Sequence, residues 1–154
     1  MSSPRPEGVH ALIIPLQGSV LVVPSAMIAE VVPVPQRLGR IPLSEPWLLG
    51  VFGWRLRPVP VVSFNHLLGA EEPPASRRSR LVVFYPLPGR AAGDFFAVLS
   101  ALEPQPRLLE DGQEFNETST GPEGIALMTR LGTVKALIPD LDALMKRFYP
   151  SAVA

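Results

Sequence analysis

The sequence predicts an all-β protein that ends in one helix, and three observations support this fold class. The 154-residue chain contains 19 prolines, although 47% of its residues are hydrophobic. Between the prolines lie windows of about four to eight residues rich in Val, Ile, Leu and Phe, which is typical of short strands bounded by turns. Glycines within residues 17–19 and 131–133 supply the backbone freedom that tight hairpin connections require.

The positions of proline and glycine predict where the strands and helices begin and end. Strands are predicted at 11–16, 20–23, 29–34, 49–55, 59–64, 80–87, 95–101, 103–109, 125–131 and 133–138. Because proline cannot donate to a ladder, the strand that carries Pro58 and Pro60 is expected at a sheet edge or starting beside a bulge. Residues 64–68 predict a single helical turn. A longer helix opens at Pro139 and Asp140, because apolar residues follow at helical spacing: Leu141, Leu144, Met145 and Phe148.

The length suits one domain, or two small lobes that share a core. We expect a flexible N-terminal segment at 1–9, a single domain over 10–148 and a tail at 149–154. The Pro- and Ser-containing stretch 70–79 separates the predicted strands into two halves, so the lobes are expected to meet near residues 70–80. Residues 110–123 are polar and predict a second loop.

Net charge and cysteine content bear on several classes of function. The 14 basic and 14 acidic residues cancel, so the chain lacks the positive field that supplies most nucleic-acid affinity. The absence of cysteine excludes disulfides and thiolate metal sites and fits a reducing cytoplasm. No apolar run approaches the roughly 20 residues of a membrane span, and the first residues lack the apolar core of a signal peptide. We therefore expect a cytoplasmic protein without direct membrane insertion.

The residues that could perform catalysis do not form a recognisable arrangement. Nothing in the sequence places His10 or His66 beside Ser63 or beside each other, and two isolated histidines fall short of a metal site. The phosphate-binding patterns GxxxxGK[ST] and GxGxxG are also missing. The sequence predicts a protein that is not an enzyme and that needs no metal or cofactor.

Residues 50–69, GVFGWRLRPVPVVSFNHLLG, are the most informative segment. They predict two short strands joined by a tight hairpin that displays Trp54, Arg55 and Arg57. Arginine and tryptophan are frequent anchors of protein interfaces, so the hairpin suits recognition of a partner. Two plainer readings remain open: Arg55 could simply pair with a surface carboxylate, and one of Trp54 and Arg55 should face inward because they alternate along a strand.

The same segment resembles the central signature of the CheW family, the coupling proteins of bacterial chemosensory arrays. Gly50 and Val51 match the family's Gly-Val pair, and Arg55 matches its arginine. Residues 59–62 match the apolar-Pro-Val stretch, and residues 67–69 match the short helix and its end. The resemblance begins in the hairpin and continues on both sides of it.

Upstream, LIIPLQGSVLVVPSAMIAEVVPVPQRLGRIP resembles the family's opening strands, with Glu30 and Val31 as its Glu-Val pair and a loop that closes on Ile41 and Pro42. Downstream, IALMTRLGTVKALIPDLDALM resembles its closing hairpin and terminal helix. The resemblance therefore spans residues 10–148.

The chain departs from the signature at four positions. Gly53, Trp54 and Leu56 replace the signature's Asn, Leu and final Gly, and Ser63 replaces its Asp. These departures look more like the divergent CheW-like proteins of pilus-type chemosensory systems, such as ChpC, than like the flagellar adaptor.

The resemblance implies two intertwined, five-stranded SH3-like barrels and a non-enzymatic signalling adaptor. Such an adaptor bridges the cytoplasmic tip of a methyl-accepting chemoreceptor and the regulatory domain of a CheA-type histidine kinase, and it is recruited to membrane-bound receptor arrays. The implied partner-binding residues are Arg55, Gly50, Val51, Glu30 and Val31, with Trp54, Leu56 and Arg57 completing the hairpin.

Two other functions remain as alternatives. A small-ligand-binding β-barrel without a kinase partner would need an enclosed pocket of a few hundred cubic ångströms. A nucleic-acid-binding barrel would need a basic stripe with interleaved aromatic residues, which the neutral net charge disfavours.

Overall fold

Ten short strands and two helices make up the described part of the computed structural model, which covers residues 8–39, 45–109 and 125–148. The strands are β1 Val9–Pro15, β2 Val20–Pro24, β3 Ile28–Pro33, β4 Leu48–Trp54, β5 Arg57–Val62, β6 Arg80–Phe84, β7 Phe96–Ser100, β8 Gln105–Leu109, β9 Ile125–Leu131 and β10 Val134–Pro139. The helices are the one-turn α1 Phe64–Leu67 and the C-terminal α2 Leu141–Phe148, and a 3-10 turn spans Ser25–Met27.

The strands form two five-stranded sheets, which confirms the all-β class with a C-terminal helix and fits a pair of SH3-like barrels. The first sheet has the order β8-β1-β2-β10-β9 and the second the order β3-β6-β7-β5-β4. Most neighbours are antiparallel, but β10 runs parallel to β2 and β5 runs parallel to β7. These two parallel pairs join segments that are far apart in the chain, so each sheet closes through long-range contacts.

The largest apolar cluster takes residues from both sheets, which fixes the two sheets against each other. It includes Ile14 and Leu21 of the first sheet together with Val62, Val82 and Phe84 of the second. Alternate residues of the same strands enter smaller clusters on the opposite sheet faces. Strands buried on both faces explain why the sequence shows short continuous apolar runs instead of an alternating pattern.

The two sheets do not divide the chain where the sequence suggested. The connection 70–79 joins α1 to β6, yet β5 before it and β6 after it both belong to the second sheet. The chain passes between sheets after β2 and again after β7. The expected lobe boundary near residues 70–80 is therefore not the point at which the sheets separate.

The placement of Pro58 and Pro60 at a sheet edge is also wrong, because β5 lies between β7 and β4. The irregular pairing with β4 occurs at Leu48/Gly50, opposite the end of β5 and not its start. The prolines are tolerated because β5 pairs with β7 only at Val61 and Val62, so the first half of the strand has a single ladder.

The first strand begins earlier in the chain than the sequence suggested. Val9, which we assigned to the N-terminal segment, begins β1. In α2 the Asp140 side chain accepts a hydrogen bond from the Ala143 N–H at 3.1 Å, and Leu141 and Leu144 are buried as the spacing predicts. The remaining expectations fall outside the described residues or side chains: Ile41 and Pro42, the loop 110–123, Met145, Phe148 and the tail 149–154.

Candidate functional site

The β4–β5 hairpin has an unusual tip. Trp54 pairs with Arg57, so only Arg55 and Leu56 form the turn. Both have positive φ angles, 48° at Arg55 and 62° at Leu56. Two-residue hairpin turns of this kind normally use Asn and Gly, because side chains with a Cβ branch or bulk disfavour positive φ. The turn therefore holds two long side chains in a conformation that costs free energy.

Arg55 is held from two sides. Its guanidinium lies over the Trp54 ring, 4.4 Å from the centroid, and its Nη2 atom is 3.6 Å from Glu30 Oε1. The Trp54 indole Nε1 donates a hydrogen bond to the same Glu30 oxygen at 2.9 Å. Glu30 on β3 thus anchors both neighbouring residues of the hairpin. Arg55 therefore does pair with a surface carboxylate, as the plainer interpretation of the sequence suggested.

The Arg55 pair remains in contact with solvent. The side chains of Arg55 and Glu30 are 62% and 44% exposed. At such exposure an ion pair contributes only about 0.2–1 kcal/mol to folding. The arrangement therefore orients the guanidinium without burying it, and the guanidinium keeps donors available for a partner.

The predicted site residues divide into a surface group and an interior group. Arg55 and Leu56 are exposed, whereas Trp54 is only 6% exposed and packs in the apolar cluster of the second sheet. The expectation that one of Trp54 and Arg55 faces inward is confirmed. Trp54 supports the hairpin and offers a partner little surface of its own.

Gly50 packs against Gly39, and Val51 hydrogen-bonds to it. Gly50 is buried with φ 148°, and an added Cβ would clash with the backbone carbonyl of Gly39. The Val51 backbone exchanges two hydrogen bonds with Gly39, at 2.7 and 2.9 Å. Val31 is partly buried against the cluster shared by the two sheets, whereas Trp54 packs in the other cluster. Gly50 and Val51 therefore support the hairpin from within β4, whereas Val31 packs away from it, and none of the three joins the tip.

Sequence reasoning missed the aromatic residues that flank the hairpin. The Arg57 guanidinium lies over the Phe95 ring, 4.9 Å from the centroid. Phe95 in turn lies 4.8 Å from Trp54 and 6.2 Å from Tyr85, centroid to centroid. Phe95 comes from the connection before β7, and no local sequence pattern indicates that it will meet β5. The tip is thus bounded by guanidinium groups resting on aromatic rings.

Ser63, considered above as a nucleophile, caps α1. Its Oγ accepts a hydrogen bond from the His66 N–H at 3.2 Å and donates one to Glu72 Oε1 at 2.7 Å. Asn65 Nδ2 donates to the other Glu72 oxygen at 2.7 Å. Serine and aspartate are both good N-cap residues, so the replacement of the signature's Asp by Ser63 is compatible with a helix that begins at this point. Within the described ranges, no three His, Asp or Glu side chains group as metal ligands.

A solvent-open groove of about 450 Å³ lies away from the hairpin. Its lining is mainly apolar and comes from β2, the 3-10 turn, residues 87–88, β9, the end of β10 and the start of α2; it includes Val22, Met27, Leu87 and Ile138. The polar side chains at its edge are Asp140 and Asp142. This groove bears on the small-ligand alternative.

Neither helix in the described ranges has the length and apolar character needed to cross a bilayer.

Comparison with known proteins identifies similar chains. The family model described as CheW-like domain matches residues 10–148. The crystal structure of the scaffolding protein TtCheW from Thermoanaerobacter tengcongensis superimposes with a TM-score of 0.70 at 14% sequence identity, covering 92% of this chain and 90% of that one. At this identity the superposition establishes a shared fold. No curated protein matches the chain by sequence.

Proposed function

Since this chain belongs to the CheW-like domain family, we propose that it couples chemoreceptors to a CheA-type histidine kinase. The family consists of non-enzymatic chemotaxis scaffolds, so the chemistry at issue is binding. The observation that carries the proposal is the orientation of Arg55: a solvent-accessible guanidinium fixed by the Trp54 ring and the Glu30 carboxylate. Side chains held in their bound orientation lose less entropy when a partner docks.

The proposed binding surface centres on Arg55, Leu56 and Arg57, with Glu30 beside them. Trp54, Gly50 and Val51 act by holding this surface in place, whereas Val31 packs in the cluster shared by the two sheets. We assign the surface to the cytoplasmic tip of a methyl-accepting receptor, following the position of the family's arginine. The kinase's regulatory domain would bind elsewhere on the single domain formed by residues 10–148.

The proposed mechanism is thermodynamic. An adaptor that binds receptor and kinase together raises the local concentration of each at the other. A change in receptor packing shifts the kinase between active and inactive states if the adaptor binds the two arrangements with different affinities. In this proposal the protein acts in the cytoplasm and is recruited to membrane-bound receptor arrays. The departures in the hairpin favour a pilus-type chemosensory pathway.

The direct test is calorimetric titration of the protein with the regulatory domain of a CheA-type kinase from the same genome, and separately with a soluble receptor-tip fragment. Micromolar binding to each is expected. Binding to neither fragment, with both folded by circular dichroism, would contradict the proposal.

The groove of about 450 Å³ is the observation behind a second candidate, a small-ligand module without a kinase partner: its volume lies within the range of ligand sites, although the groove is open to solvent and not enclosed. Its open shape and apolar lining provide few polar groups to orient a ligand. Failure of both protein fragments to bind, together with saturable binding of a small apolar fluorophore that Met27→Glu abolishes, would favour this alternative.

A further inference from the structure

Leu56 occupies a position that folding alone does not explain. Its relative exposure is 106%, so the side chain packs against nothing in the described part of the chain. Its φ of 62° lies in the left-handed region, which disfavours a leucine and suits Asn or Gly. The family signature has glycine at this turn position. The chain therefore keeps a leucine whose side chain gains no burial and whose backbone conformation is unfavourable.

The residues on both sides hold this leucine in a defined position. Trp54 is buried and bonded to Glu30, and Arg55 lies over the Trp54 ring. On the other side Arg57 lies over Phe95. The exposed side chain thus projects from a turn whose flanks are fixed, which lowers the entropy lost when it is buried in a complex.

We infer that Leu56 is an apolar anchor that inserts into a pocket of a protein partner whose rim carries carboxylates. Strained residues concentrate at binding sites, where the strain is retained because it presents a functional group. The charge at the tip argues for the acidic rim: Arg55, Arg57 and Glu30 sum to one positive charge, and guanidiniums pair well with carboxylates. This inference rests on the proposed function, which supplies the receptor-tip fragment used as the binding partner in the test. To that function it adds two points: Leu56 is the residue that sets the affinity, and the pocket that receives it has an acidic rim.

The key variant is Leu56→Asn, because its effects on folding and binding should have opposite signs. Asparagine tolerates positive φ, so the thermal unfolding midpoint is expected to equal or exceed that of the wild-type chain. Binding to the receptor-tip fragment is expected to weaken at least about tenfold, since the buried apolar area of a leucine is lost. Leu56→Met, which keeps an apolar side chain of similar volume, should stay within about threefold of wild type.

Val134→Asn is the matched control. Val134 follows the other two-residue turn, at Gly132 and Thr133, and is 45% exposed on the first sheet. This control is expected to leave affinity unchanged. Equal affinities for wild type and Leu56→Asn would overturn the inference, and so would a large fall in the unfolding midpoint of Leu56→Asn, which would show that Leu56 stabilises the fold.

If wild type binds neither the receptor tip nor the kinase domain, the proposed function fails and a separate arm decides the inference. A benzophenone photo-crosslinker is placed at position 58, which is exposed beside the turn and leaves Leu56 in place, or at position 134, in the full chain in cells of the source organism. An adduct specific to position 58, suppressed by excess wild-type chain but not by excess Leu56→Asn chain, supports the anchor. No such adduct overturns it.

Discussion

At the residue scale, Arg55 depends on its neighbours for its orientation. The Glu30 carboxylate lies 3.6 Å from the Arg55 guanidinium, and the guanidinium lies over the Trp54 ring. The alternation of Trp54 and Arg55 in the sequence was enough to predict that one of them faces inward. The acceptor of the Trp54 indole proton, Glu30, lies 24 positions away in the chain, and only the fold reveals it.

Replacing Arg55 with alanine should separate binding from folding. The variant loses an exposed ion pair and a cation–π contact, so the free energy of unfolding should change by about 1 kcal/mol or less. Affinity for the receptor-tip fragment should fall, since the oriented guanidinium is gone. Calorimetry and thermal melts measure the two effects. Arg78→Ala, an exposed arginine in the 70–79 connection, is the control.

A large drop in the melting temperature of Arg55→Ala would show that Arg55 is structural and would refute its assignment to the binding surface. A loss of affinity in Arg78→Ala equal to that of Arg55→Ala would indicate nonspecific charge attraction instead of a site.

Gly50 should behave in the opposite way. Its φ of 148° and the close approach of the Gly39 carbonyl leave no room for a Cβ, so Gly50→Ala should lower the free energy of unfolding by about 1–3 kcal/mol. Urea titration followed by Trp fluorescence measures the change. Gly53→Ala, on the same strand with open space at its Cβ position, should be nearly neutral. If the two alanine variants are equally stable, the packing of β4 against residue 39 is not as described.

At the element scale, β5 and α1 connect the hairpin to the core. Val61 enters the cluster of the second sheet, whereas Val62 and Phe64 enter the cluster shared by both sheets. The Asn65 side chain also accepts a hydrogen bond from the Gln17 N–H at 3.1 Å, which links α1 to the β1–β2 turn. The strand that presents Arg57 at one end is thus fixed to both sheets at the other.

Truncation at this junction should be costly. Val61 and Phe64 have no exposed surface, so each alanine variant leaves a cavity. We expect a loss of about 2–3 kcal/mol for Val61→Ala and about 3–5 kcal/mol for Phe64→Ala, measured from denaturation midpoints. Val134→Ala, on the exposed start of β10, is the surface control. Midpoints no different from wild type would mean that β5 has another register.

At the scale of the whole molecule, local patterns predicted the strands but not their partners. Short apolar runs bounded by proline and glycine located ten strands and the C-terminal helix, because those boundaries depend on nearby residues. Sheet membership depends on the parallel pairs β10–β2 and β5–β7, which no local pattern encodes. For this reason the sequence did not indicate that the chain changes sheets after β2 and after β7 and stays in one sheet across residues 70–80.

The candidate site shows the same limit. The tight hairpin and its arginines follow from residues 50–69, whereas the Phe95 support of Arg57 arises from a contact between segments 38 positions apart. The interior roles of Gly50 and Trp54 likewise depend on the tertiary structure, since a surface position and a buried position can carry the same sequence signature.

The central claim is that one molecule of this protein holds receptor and kinase together, and a three-component binding measurement tests it most directly. The receptor-tip fragment is immobilised, and retention of the kinase's regulatory domain is measured as the concentration of the protein is raised. We expect retention of the regulatory domain to rise with the concentration of the wild-type chain and to be lower when Arg55→Ala replaces it. If the regulatory domain and the receptor tip instead compete for the protein, so that each displaces the other, the bridging account is contradicted.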